Sequence, residues 1–530
     1  MEVLAMDDLF KRGPAENALQ SCAIAMTRFR RAGFTLVEIL LATAISLIML
    51  GAVVAVFASV MQSINQARAM LETSDRLRSA AELLRSDLRG LTVIPIPPRD
   101  PANDEGYFEY TEGPVGQNGQ VRPIMQLNDP LVAVNLDDVD GNGNPLPDPT
   151  VGDNDDILMF TTRSTGEPFV GRCLINGQPS TIYSDTAEVA WFVRGNRLYR
   201  QVRLVAPKAM ELCDVNKNGI LDPGEWVPAG DSGAQNFRRY YDIAAHYDVN
   251  RGGWVFSTLG DLTKPENRYA HRTGDPRNVA SFPFHPHRIA GWQALGLPTL
   301  AESASANMGT QWLGKKEGVL PSVTLTRLPG PMGAFDFWNN PYPFQEVDTQ
   351  TGLLNNAGQL YRESEDLVLT NVIAFDVKIW DPTALVTVTA AGAALRPGDL
   401  SYLVAPPQQP VIGGAYVDLA YRPQPPAIGP LSTFSDYPLA KTKLGPLAVY
   451  DTWSIHYEKD GLDQDDANGP DTGTDGFDND NNGLVDDFGE WEAPPPYPAP
   501  CRGVQVTIRV FEPDSRQIRQ VTIVQDFLPK

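Results

Sequence analysis

The sequence predicts an α+β protein: one long N-terminal helix, then a β-rich head carrying long loop insertions. Three observations carry that prediction. A long apolar stretch lies near the N-terminus, no proline interrupts the chain from Phe34 until Pro95, and beyond residue 90 period-2 alternation replaces helical spacing.

Residues 39–67 are 29 consecutive positions without a charge, and residues 34–61 are mainly Leu, Ile, Val, Ala, Met and Phe. A soluble helix seldom stays apolar on every face for so many turns, and the length suffices to cross a bilayer once. Arg28, Arg30 and Arg31 precede the stretch and Arg68 is the first charge after it. The positive-inside tendency then keeps residues 1–33 in the cytoplasm and exports the rest. Glu38 is out of place in an ordinary anchor, because a lone carboxylate there costs roughly 2.5 to 3.5 kcal/mol and needs a partner. A secretory signal places its cleavage site after the apolar stretch, whereas the small residue Gly33 stands before it. Cutting between Gly33 and Phe34 leaves the anchor attached and creates an α-amine in the same apolar surroundings as Glu38. The amine of a neighbouring copy is a suitable counter-ion.

The run Arg30, Arg31, Ala32, Gly33, Phe34, Thr35, Leu36, Val37, Glu38 resembles the prepilin peptidase motif of type IV pilins and type II secretion pseudopilins. The resemblance implies a membrane-embedded aspartyl peptidase that cleaves after Gly33 and methylates Phe34. It also implies that Glu38 neutralises a neighbour's N-terminus during fibre assembly. The domain plan follows: a cytoplasmic leader over 1–33, a transmembrane half-helix over 34–61, an amphipathic half-helix over 62–89, and an exported head over 90–530.

After Gln62 the helix turns amphipathic, with Leu71, Leu77, Ala81, Leu84 and Leu88 on one face and Arg68, Glu72, Asp75, Arg78, Glu82 and Arg85 around the rest. A helix over 34–89 is roughly 84 Å long, and Gly90 is its expected stop. Such a two-part stem resembles the pilin lollipop, whose second half packs on the sheet of the head. The segment 76–88, RLRSAAELLRSDL, is similar to the equivalent stretch of J-type minor pseudopilins and of the related W-type minor pilins.

In the head, Ile373, Phe375, Val377 and Ile379 alternate with polar neighbours, as do Val504, Val506, Ile508 and Val510. Ala187, Val189, Trp191 and Val193 lead into Arg194, Gly195, Asn196 and Arg197 and then a second alternating run, a two-residue hairpin signal. Further strands are expected at 157–162, 385–389, 453–457 and 520–524, and a short helix near 290–304. Insertions are expected at about 206–365, 391–447 and 459–500, decorating one core, with a separate lobe over 206–365 left open.

Asp214, Asn216, Asn218, Gly219, Ile220, Asp222 and Glu225 reproduce the spacing of a twelve-position calcium loop. Side-chain oxygens at positions one, three and five wrap a hard cation and glycine permits the turn at six. The Ile220 carbonyl points inward at seven, Asp222 acts through water, and Glu225 binds with both oxygens. A second run offers Asp478, Asp480, Asn482, Gly483, Leu484 and Asp486, with Gly489 at the twelfth place, Glu490 one beyond, and Asp475 and Asp487 as spare oxygens. This run resembles calcium loops of other exported bacterial proteins. Asp138, Asp140, Asn142 and Gly143 form a weaker third run lacking the later ligands. Structural calcium is the one cofactor expected; the competing reading is an acidic turn that needs no ion.

The formal charge of −22 and a pI near 4.6 argue against nucleic acid as a partner. His285 and His287, flanking Pro286, read as exposed loop histidines, and the sequence holds no phosphate loop, dinucleotide fingerprint or HExxH, so no enzyme is expected. Cys22 leaves with the leader, and of the three remaining cysteines Cys173 and Cys213 are the preferred disulfide pair. The resemblance implies a minor pseudopilin closest to the J-type, supporting protein export from the bacterial inner membrane with its head periplasmic. Its implied partners are other pseudopilins or pilins, prepilin peptidase, the secretion or pilus membrane platform, and membrane lipid. The presence of Glu38 argues against the K-type tip subunit, which usually lacks it. The alternatives are a W-like minor pilin with an adhesive role and a membrane-anchored calcium-dependent binding protein.

Overall fold

The computed structural model describes residues 34–112, 134–139, 145–147, 156–194, 197–226, 240–248, 251–269, 322–324, 334–336, 365–388, 392, 394–397, 410–419, 421, 433–434, 449–461, 473–487 and 489–527. The expected helix near 290–304, His285 and His287 lie outside the described residues, as do Gly33 and Asp140, Asn142 and Gly143 of the third acidic run. The chain divides into two units, residues 1–65 and 66–530.

Helix α1 runs over Leu36–Arg89. Every described residue of the first unit is exposed, and no residue of the helix's most apolar 18-residue window is buried within the chain. By length and composition this segment can cross a membrane. In the second unit the helix buries Leu77, Ala80, Ala81, Leu84, Asp87 and Leu88, a three-and-four spacing that presents one stripe to a core. Leu71, expected on that stripe, is 67% exposed, because the core the helix joins begins only at Leu77. The helix ends at Arg89, and position 90 has room only for glycine: a Cβ there would lie 2.1 Å from the Arg163 carbonyl oxygen. Arg163 N–H donates to Gly90 O at 2.7 Å, so the next strand seals the helix end.

The strands that frame the head are β1 Phe108–Thr111, β2 Ile157–Arg163, β3 Phe169–Ile175, β4 Gln178–Ser184, β5 Thr186–Arg194, β6 Arg197–Leu204, β7 Ala245–Asp248, β8 Gly253–Phe256, β9 Glu365–Thr370, β10 Val372–Asp381, β11 Ala415–Val417, β12 Val449–Asp451, β13 Gly503–Glu512 and β14 Gln517–Asp526. Six form one antiparallel sheet in the order β9-β6-β5-β2-β1-β12, and four form a second in the order β11-β10-β13-β14. The hairpin β5–β6 closes with Arg194 opposite Arg197, the register of a two-residue turn. Asn371, with φ of 56°, links β9 to β10 and so carries the chain from one sheet to the other.

Alternation decides which core each residue enters. Phe108, Phe160 and Trp191 of the six-stranded sheet share a core with Leu84 of α1 and with Phe375 and Ile508 of the four-stranded sheet. Their neighbours Tyr107, Met159 and Phe192 form a separate core with Ala244, Leu262 and Tyr269. The first part of the 206–365 insertion therefore covers one face of the sheet, while α1 belongs to the core of the other.

Two strand expectations are corrected. Ile373 is only half buried because the β10–β13 register shifts between Val372 and Ala374, so Val372 joins the core with Phe375, Val377 and Ile379 in its place. The segment expected as a strand at 453–457 is a turn of 3₁₀ helix over Ile455–Glu458, capped by Ser454 Oγ accepting from His456 N–H. The strand lies just before it, as β12.

Candidate functional site

The processing end of the chain is a capped helix start. Thr35 Oγ1 accepts from Glu38 N–H at 3.2 Å, while Glu38 Oε2 accepts from both Thr35 N–H and Thr35 O–H at 2.9 Å. This is a reciprocal capping box, with Thr35 at the cap and Glu38 three residues on. Threonine thus supplies a local partner for the carboxylate, a role that reading the apolar stretch alone did not assign. Phe34 is 81% exposed directly before the cap. Phe34 precedes the helix that carries Glu38, and Gly33 lies outside the described residues.

At the head end of the same helix, Asp87 is buried and accepts from Trp191 Nε1 at 2.9 Å and from Arg200 Nε and Nη2 at 2.8 and 2.7 Å. The two-pronged pair locks the last turn of α1 to β5 and β6. Its signal was present but weak: Asp87 stands three residues after Leu84, on the apolar stripe.

The two acidic loops share one hydrogen-bond plan. In the first, Asp214 Oδ2 accepts from Gly219 N–H at 2.6 Å, and Asn216 Oδ1 and Asn218 Oδ1 accept from the N–H groups of Asn218 and Ile220 at 3.0 Å. Glu225 closes the ring: Oε1 accepts from Val215 and Asn216 N–H and Oε2 from Asp222 N–H, each at 3.0 Å. Asp222 Oδ2 accepts from the side-chain amides of Asn216 and Asn218 at 2.8 and 2.9 Å. Lys217 and Gly219 take positive φ, at 58° and 81°.

In the second loop Gly483 N–H donates to Asp478 Oδ2 at 2.9 Å and Leu484 N–H to Asn482 Oδ1 at 2.8 Å. Glu490 Oε1 accepts from Asn479 N–H and, at 3.1 Å, from Asp480 N–H; its Oε2 accepts from Asp487 N–H at 3.2 Å. Asn481 and Gly483 repeat the positive φ pair. The residue in the place of Asp222 is Asp487, whose Oδ2 accepts from Asn482 Nδ2 at 2.6 Å. Asp486, expected there, takes φ of 53° and accepts from Gly476 N–H at 2.9 Å. One extra residue before Asp487 shifts the later positions, which is why Glu490, the thirteenth residue, does what Glu225 does as the twelfth. Carboxylate oxygens of Asp478, Asp480 and Glu490 lie within 4.8 Å of one another.

The loops differ in setting. Ile220 and Leu221 of the first are buried, and Leu221 exchanges hydrogen bonds of 2.8 and 3.1 Å with Trp254 of β8. Leu484 and Val485 of the second are exposed. Helix α2, Met210–Cys213, leads directly into the first loop and the one-turn α3, Pro223–Trp226, ends it.

Cys173 of β3 and Cys213 are both buried free thiols joined by a hydrogen bond, which holds the Cys173 thiol below its ordinary range and pushes the Cys213 thiol up. Cys501 is buried apart from them, its thiol donating to Gly503 O at 3.6 Å.

Residues 28–54 match the prokaryotic N-terminal methylation motif. The chain carries at its N-terminal end the processing motif of type IV pilin-like proteins and pseudopilins. That motif supports membership of this broad class, assembly with other pilins, processing by a prepilin peptidase and a single-pass membrane anchor. No curated protein and no solved structure matches the chain.

Proposed function

We propose that the protein is a minor pseudopilin of the J-type that enters the type II secretion pseudopilus through its stem and supports protein export. Its work is assembly and contact, with no chemical step of its own. The observation that carries the reading is the methylation motif ending in an apolar helix whose most apolar window is left unburied by the described residues. The similarity of segment 76–88 to J-type subunits and the β-rich head after it support the finer assignment. Glu38 then exchanges its Thr35 capping bonds for the methylated amine of a neighbouring Phe34, inside lipid where an unpaired carboxylate is costly.

The test is cross-linking and co-purification of the chain with the other pseudopilins and the secretion platform, comparing the parent with Glu38→Ala. Loss of co-purification together with loss of export is expected. Co-purification with surface pili instead would identify a W-like minor pilin, and an unaffected variant would identify an anchored protein that never polymerises.

The same reading puts the head in an oxidising compartment. There Cys173 and Cys213 are expected to form a disulfide, passing two electrons and two protons to the thiol oxidant of that compartment. Non-reducing peptide mapping checks the bond, and a free Cys173 in the exported protein would contradict it.

A further inference from the structure

We propose that the loop from Asp214 to Glu225 is a calcium site that fastens the 206–256 segment to the head, independently of the assembly reading. The acidic composition of the loop does not carry this by itself. The deciding group is Asp214, only 6% exposed, whose Oδ1 is buried and has no hydrogen-bond partner among the described residues. Its other oxygen accepts from Gly219 N–H at the sixth position at 2.6 Å, which ties the planar carboxylate to the loop's turn.

A buried carboxylate oxygen is stable only when it is paired or bound to a metal. The neighbouring fixed cation is spent elsewhere: Arg251 Nη2 donates to the Asn218 carbonyl at 2.6 Å and its Nε lies 3.9 Å from Asp248. A free cation is what the oxygen lacks. The positions that this spacing assigns to a cation supply oxygens, from Asp214, Asn216, Asn218, the Ile220 carbonyl and Glu225. Asn216 Oδ1, Asn218 Oδ1 and Glu225 Oε2 each accept one backbone N–H and retain a lone pair, whereas Glu225 Oε1 accepts two. An all-oxygen set without nitrogen or sulfur selects a hard ion over zinc or copper. A flexible loop offering six or more oxygens, one carboxylate of them able to bind with both atoms, suits Ca²⁺ better than the small, strictly octahedral Mg²⁺.

The ion's effect follows from what the loop joins. Asp214 continues from Cys213, and Leu221 is bonded on both sides to Trp254, so ordering the ring holds α2 and the β7–β8 hairpin in one arrangement. An ion bound only to the folded ring stabilises the fold by mass action.

The experiment uses the full-length processed protein in non-ionic detergent, stripped with a chelator and given calcium chloride alone. Equilibrium dialysis counts bound calcium. The parent is expected to bind one more equivalent than Asp214→Asn, and equal counts, including none in either, would overturn the proposal. Asn218→Asp supplies a sign test that survives a folding defect in the first variant. A fourth carboxylate beside Asp214, Asp222 and Glu225 repels when the ring is empty and attracts when it is filled. Its melting temperature is therefore expected below the parent's in chelator and at or above it in calcium. An equal drop in both conditions would contradict a bound ion.

Discussion

The two halves of α1 are one continuous helix built for two different solvents. Residues 36–65 are apolar on every side and bury nothing within the chain, whereas residues 66–89 bury a narrow stripe and leave the rest charged. Each half contains one carboxylate on an otherwise apolar surface. Asp87 finds Arg200 and Trp191 in its own head, while among the described residues Glu38 is bonded to the cap residue three positions before it. The second half finds its partners in the head, and the first half, under the proposed function, finds its own in a neighbouring subunit.

Breaking the first half should have the largest consequence. Glu38→Ala is expected to abolish incorporation into the fibre while leaving the melting of the head unchanged, read by cross-linking and calorimetry on the same preparation. If the head itself melts lower, the two halves are not separable in the way proposed.

Asp87→Ala should do the reverse. It strands the Arg200 guanidinium and the Trp191 N–H in the core, and losing one member of a buried ion pair costs about 3–5 kcal/mol. Denaturant unfolding should show that loss, with membrane insertion unaffected. A cost under about 1 kcal/mol would mean the pair is not desolvated as described.

A paired substitution sharpens where the buried stripe begins. Leu84→Ala is expected to cost about 2–4 kcal/mol because the side chain is fully buried, and Leu71→Ala about 0.5 kcal/mol or less because it faces outward. Equal costs would place Leu71 against the head after all.

The smallest expected effect is on pH. Burial, aided by the nearby Lys264 charge, lowers His456 to about 4, so the folded head keeps it neutral. Below pH ~6.5 the unfolded chain takes up a proton that the folded chain refuses, so stability falls as pH drops toward 4 and then levels. His456→Gln should remove about 1 kcal/mol of that decline, the full linkage value being reduced by solvent screening of the partly exposed ring, seen as a shallower loss of melting temperature between pH 7 and 4.5. An unchanged slope would show that His456 is not the group responsible.

Much of this was legible from spacing. The alternation of Val504, Val506, Ile508 and Val510 survives intact because β13 is central, with β10 on one side and β14 on the other. The same pattern failed at Ile373, where a bulge inserts a residue and resets the period. A strand was expected at 453–457, yet the backbone there takes a 3₁₀ turn capped by Ser454. Asp87 was obscured because its partner Arg200 is 113 residues away, and no local rule connects them. In the second acidic loop, counting positions pointed to Asp486, whereas the backbone absorbs one extra residue and presents Asp487. Spacing finds elements whose partners are near in sequence or repeat regularly; it misses insertions and distant charges.

The most direct measurement is the N-terminal peptide mass of the native, membrane-extracted protein. The account predicts a mature chain beginning at Phe34 with one methyl group on its α-amine, recovered in cross-linked species with a second pilin-like subunit. A native chain that still carries residues 1–33 and behaves as a monomer would contradict it.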